Sequence, residues 1–163
     1  MNKNLRSFTA SALIIGASVA VVGCTQATDE SPTTSPGTST SSSDPLVGEW
    51  QMTSLEVGTA DDLQPVPYSG QVIFTDAGTM SVQAANPDTA APDGPYTVGG
   101  YEAFYGDVTT VDENSFTVSV VSAVVRDLEG QSLARDFEVV GDTLVLTPTD
   151  PSEGFRATYE RQD

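Results

Sequence analysis

The sequence predicts an all-β fold: an eight-stranded antiparallel up-and-down barrel over residues 45–163, preceded by a signal peptide at 1–23 and a disordered tether at 24–44. Three observations lead there. From Leu46 onward helical periodicity is scarce, and short runs alternate apolar with polar residues. Gly, Asp, Asn and Pro separate those runs at hairpin spacing. Hydrophobic residues make up 38% of the chain, enough to build one core and to exclude disorder throughout.

The first strand spans about residues 47–57, with Leu46, Gly48, Trp50 and Met52 on one face. Leu55 and Val57 fall out of step with Met52, which calls for a bulge near Thr53-Ser54. Val72 and Phe74 enter a hairpin at Asp76-Ala77-Gly78, and Met80, Val82 and Ala84 leave it. Residues 86–95 are rich in Pro, Asp and Ala and read as a loop. The fourth strand lies within 101–111, with Phe104, Gly106 and Val108 on one face. A turn at Asp112-Glu113-Asn114 leads to the fifth, Phe116 to Val120. The sixth spans about 132–140, with Leu133, Arg135, Phe137 and Val139 in phase. Gly141-Asp142 turns into the seventh, Leu144 to Leu146, and the eighth runs from Phe155 to Arg161. Successive hairpins make a meander. Closing eight strands removes the exposed edges and leaves an interior for side chains or one small ligand.

The segment before this domain has a different logic. Met1 to Arg6 is a short positive stretch, and Ala10 to Val22 is an uncharged apolar run. That run is shorter than the roughly 20 residues a membrane span needs, and it has the length of a signal-peptide core. It ends in Val21-Val22-Gly23-Cys24, which resembles the lipobox of bacterial lipoproteins. The resemblance implies cleavage between Gly23 and Cys24, lipidation of the Cys24 thiol and a membrane anchor facing the cell envelope outside the cytoplasm, on the plasma membrane or an outer membrane. Thr25 to Asp44 is mostly Thr, Ser, Pro, Gly and acid, with too little apolar surface to offset its ordering entropy.

Charge narrows the partners. The chain has 6 basic and 23 acidic residues, a net charge of −17. Lys3 and Arg6 fall in the leader, so the mature chain keeps four arginines against every acid, a net −19. Such a surface repels phosphate backbones, so no nucleic-acid partner is expected. The acids are scattered rather than clustered, so the charge reads first as solubility, with cation binding or a cationic protein partner as the sharper alternative.

Chemistry is narrowed too. There is no histidine, the one lysine is in the leader, and Cys24 is the one cysteine. These absences remove the usual general base, Schiff-base amine and free thiol. No carboxylate spacing marks an acid–base pair or a calcium loop. No catalytic residue, cofactor or metal is therefore expected, and the protein reads as a non-enzyme.

Leu46-Val47-Gly48-Glu49-Trp50 resembles the Gly-x-Trp opening of lipocalins. From Leu46 to Arg161 the chain resembles bacterial lipocalin-like domains. The hairpin Gly70–Gln83, the segment Phe104-Tyr105-Gly106, Arg135-Asp136-Phe137 and the stretch Gly141–Leu146 follow in that order. The resemblance implies a barrel with a central cavity. It also implies a structural pair at the closed end, an Arg packed across the opening Trp; here those residues are Arg161 and Trp50.

Two residues are candidates for ligand contact, Arg135 and Tyr105. Arg135 stands in the apolar phase of its strand. It either enters the barrel, to meet a buried carboxylate or an anionic ligand head, or reaches solvent near the strand end. Tyr101 and Tyr105 are candidates for the barrel mouth, or packing residues on the strand. The functional expectation is an anchored lipoprotein that binds a small, largely apolar ligand. The alternative is an envelope interaction or inhibitor protein with an acidic surface and a side-chain-filled barrel.

Overall fold

In the computed structural model, residues 44–59 and 61–163 are described; the expected signal peptide, with Gly23 and Cys24, and the expected tether before Asp44 lie outside them. Ten strands form one antiparallel sheet: β1 (Gly48–Thr59), β2 (Asp62–Val66), β3 (Ser69–Phe74), β4 (Thr79–Ala85), β5 (Thr97–Val98), β6 (Tyr101–Asp112), β7 (Ser115–Ala123), β8 (Ser132–Val140), β9 (Thr143–Pro148) and β10 (Phe155–Arg161). The order β1-β3-β4-β6-β7-β8-β9-β10 returns to β1 through a seam from Trp50↔Arg161 to Val57↔Phe155. Those eight strands close the barrel that the alternating pattern predicts.

The bulge is where the phase slip puts it, since the β1–β10 register shifts between Met52 and Ser54. Before the bulge, β1 pairs with β3 through residues 48–51; after it, Leu55 to Thr59 pair with β2. Thus β2 continues the β3 side of the barrel, and the break falls at Pro67, which has no N–H to donate. The second additional strand, β5, is a two-residue flap on Tyr101 and Glu102 of β6.

The two ends of the barrel differ. Short turns joining β3 to β4, β6 to β7 and β8 to β9 share one end with the start of β1 and the finish of β10. Leu46, Trp50, Val72, Phe74, Phe137 and Leu144 fill that end, each at most 8% exposed. Phe116 meets Phe74 edge to face at 5.5 Å and Phe137 at 6.0 Å, forming an aromatic layer above it. The longer connections, 86–96, 124–131 and 149–154, lie at the opposite end. The 86–96 loop is held by its own acids: Asp88 Oδ1 accepts from Ala90 N, and Asp93 Oδ1 accepts from Gly99 N.

Candidate ligand cavity

Above the aromatic layer the barrel is not filled. A cavity of about 480 Å³ lies between the strands, within the ~300–1,000 Å³ typical of small-ligand sites. Met52, Leu55, Met80, Val82, Phe104, Phe116, Val118, Leu133, Leu146, Phe155 and Ala157 form most of its wall. These are inward positions on strands from around the barrel, spaced by two as the pleat requires. Its mouth is bordered by residues 91–97 of the loop before β5, by Tyr68, and by Glu153-Gly154. Gly154 has φ +56°, and a Cβ there would come 1.8 Å from Gly58 O, so the close approach at the rim requires glycine.

Arg135 enters this cavity and is only 7% exposed. Its Nη1 donates to Ala134 O at 2.7 Å and lies 3.1 Å from Glu153 Oε2. Its Nη2 donates to Tyr96 Oη at 3.1 Å, and the guanidinium carbon lies 5.5 Å from the Tyr96 ring centroid and 5.1 Å from that of Phe155. Tyr96 in turn donates to Glu153. One arginine therefore ties β8 to the loop before β5 and to the 3₁₀ turn Pro151–Glu153. Burial, with the hydrogen bond to Glu153, holds the Tyr96 phenol above its ordinary pKa.

Two further polar groups open onto the cavity without such partners. Glu102 shares the inward phase of β6 with Phe104, and Tyr159 projects from β10. Neither the Glu102 carboxyl nor the Tyr159 hydroxyl is hydrogen-bonded to a described residue. No ion pair within 4.0 Å involves Glu102 among the described residues. Burial pushes the Glu102 carboxyl up to about 7, against the opposing pull of Arg135. Burial, and then the Glu102 charge, raise the Tyr159 hydroxyl as well.

Tyr105 requires a correction. It is 47% exposed on the outer face of β6 and does not line the cavity. Its neighbours Phe104 and Gly106 point inward, so the pleat turns Tyr105 outward; Tyr101, 42% exposed, shares that outer phase. Glu102, between Tyr101 and Phe104, is the cavity residue that sequence reasoning missed.

At the closed end Trp50 is fully buried and donates from Nε1 to Leu46 O at 2.8 Å. The Arg161 guanidinium lies 3.9 Å from the Trp50 ring centroid and donates to Val47 O and Pro45 O, each at 2.8 Å.

The described residues contain no group of three or more His, Cys, Asp or Glu side chains arranged to hold a metal ion. No protein-family profile matches the chain. No curated protein sequence matches it either. Among solved structures it is similar to a lipocalin-like protein from Bacteroides uniformis, at 19% identity over 72% of this chain and 99% of the other, with a TM-score of 0.46. It is also similar to an uncharacterized protein from Bacteroides eggerthii, at 16% identity over 72% and 99%, with a TM-score of 0.45. A third is As-p18, an extracellular fatty acid binding protein, at 10% identity over 73% and 97%, with a TM-score of 0.41.

Proposed function

We propose that this protein is an extracytoplasmic lipoprotein, anchored through Cys24, whose barrel holds one small, largely apolar molecule. The observation that carries the ligand reading is the apolar cavity of about 480 Å³, bordered at one end by loops. A side-chain-filled barrel would have put larger residues at Val82, Val118 and Ala157, which face this space. The anchor reading rests on Val21-Val22-Gly23-Cys24 following an uncharged apolar run.

The energetics suit a transient carrier or sensor. Burying a ten-carbon chain gives about 8 kcal/mol at ~0.8 kcal/mol per CH₂. Association removes at least about 4 kcal/mol of that, leaving at most about 4 kcal/mol, or millimolar affinity, from apolar burial alone. Polar contacts inside the cavity then decide which apolar molecule is held. No catalytic role is proposed: the cavity's polar side chains are the Arg135–Glu153 pair with Tyr96, the Glu102 carboxyl, the Tyr159 hydroxyl and, from the loops, Tyr68, Asn86, Asp93 and Thr97.

Native mass spectrometry of the protein purified from its own host tests the reading. A one-to-one small-molecule adduct is expected. An empty barrel that also takes up no added apolar compound would contradict it.

A further inference from the structure

The cavity's charges are unequally matched. Arg135 is its one cation and is already satisfied, by the Glu153 carboxylate at 3.1 Å and by Ala134 O and Tyr96 Oη. Of its carboxyls, Glu153 pairs with Arg135 and Asp93 accepts from Gly99 N, while no described residue donates to Glu102. Glu102 is half-buried, and no side-chain polar atom sealed from solvent lacks a partner among the described residues, so its carboxyl meets solvent in the cavity until a ligand with a donor displaces it. The Glu102 carboxyl faces a largely apolar space in which no described residue supplies a donor. Tyr159 adds a second unpartnered oxygen to the same space.

We infer that the cavity selects an amphiphilic amine: a molecule with an apolar body and a cationic or hydrogen-donating nitrogen that Glu102 accepts. This specifies the ligand class of the binding reading above and rests on it. An ammonium can donate to the Glu102 carboxylate and keeps further hydrogens for other acceptors of the cavity, such as the Tyr159 oxygen. A carboxylate head would instead meet Glu102 as a like charge, in a cavity whose arginine is already neutralised by Glu153. The exterior works in the same direction, since the four arginines and 23 acids after the leader, a net −19, draw cations towards the protein and repel anions. The raised pKa of Glu102 is consistent with a missing cation, because a neighbouring positive charge would favour ionisation.

The test uses the full-length protein in detergent-free buffer with N-phenyl-1-naphthylamine, a neutral apolar fluorophore, as reporter. Decylamine, decanol and decanoate, equal in chain length, are each titrated to displace it. Decylamine should displace at a concentration at least about tenfold below decanol, and decanoate should be weakest. Glu102→Gln should weaken decylamine by about tenfold or more and leave decanol within about threefold. The retained decanol binding shows that the variant cavity is intact. Glu160→Gln, an exposed acid on the outward phase of β10, should change none of the three. Decanoate binding as tightly as decylamine, or decylamine unaffected by Glu102→Gln, would overturn the inference while leaving a ligand-binding barrel. Failure of the fluorophore and of all three competitors to bind would overturn the binding reading and this inference together.

Discussion

Arg161 lies over Trp50, its guanidinium carbon 3.9 Å from the ring centroid, and bridges the Val47 and Pro45 carbonyls just before β1. One side chain on β10 thereby fastens the seam where the barrel closes. Arg161→Ala removes a cation–π contact and two charge-assisted hydrogen bonds, and should lower stability by about 3 kcal/mol. Arg161→Lys should recover less than half, because a compact ammonium cannot both stack and span two carbonyls. Urea denaturation midpoints measure both.

Gly48 makes that stack possible. Its φ is +139°, and a Cβ would come 2.6 Å from Arg161 Nη1. Gly48→Ala should therefore destabilise by about 1–3 kcal/mol through backbone strain and displacement of the guanidinium. In the double variant with Arg161→Ala the clash disappears, so the two losses should be less than additive in a double-mutant cycle.

Glu102 predicts a pH dependence. Its folded-state pKa of about 7 lies above the ordinary 4.5, so between those values the folded state binds more protons than the unfolded state. Stability contributed by this group is present below pH 4.5 and is lost as pH rises through 7, by about 3 kcal/mol in all. Arg135 and Tyr159 are the charged and titratable groups coupled to it in the cavity. No histidine adds a competing transition. Glu102→Gln should abolish this decline, with the variant gaining on the natural protein between pH 5 and 8. Parallel stability curves for the two proteins would contradict this assignment.

The fold is readable in the sequence wherever alternation is strong, and it fades where other signals intervene. The eight barrel strands announce themselves by period-two patterning, and the slip between Met52 and Leu55 marks the bulge. β2 is hidden because Pro65 and Pro67 argue against a strand; Pro65 is tolerated in β2, opposite Glu56, where no strand pairs on the other side. β5 is only two residues long and carries no pattern. Within the cavity, Arg135 can be placed by its phase with Leu133 and Phe137. Glu102 could be placed the same way, two residues before Phe104, but a lone acid beside three aromatics looks like surface. Tyr96 and Glu153 come from loops, where no periodicity says that they will meet Arg135.

Filling the cavity should separate binding from stability. Ala157 is buried on β10 and faces the space. Ala157→Phe places a ring where no side chain now packs, and should reduce ligand binding more than about tenfold while the melting temperature stays level or rises. Loss of stability together with binding would mean that the space is smaller than described.

The anchor has its own test. Cys24 is the one cysteine, and the acidic mature chain has no electrostatic route to anionic lipid. Cys24→Ser should leave the precursor uncleaved by lipoprotein signal peptidase or lose the protein from the membrane fraction. A variant that stays cleaved and membrane-bound would contradict lipidation at this residue.

The central claim is that the barrel holds a small apolar molecule in the space between Phe116 and the loops. Titration of the full-length protein with N-phenyl-1-naphthylamine tests it most directly. The account predicts a saturable fluorescence rise at one fluorophore per chain, lost in Ala157→Phe. A linear, unsaturated rise, or one that Ala157→Phe leaves unchanged, would contradict it.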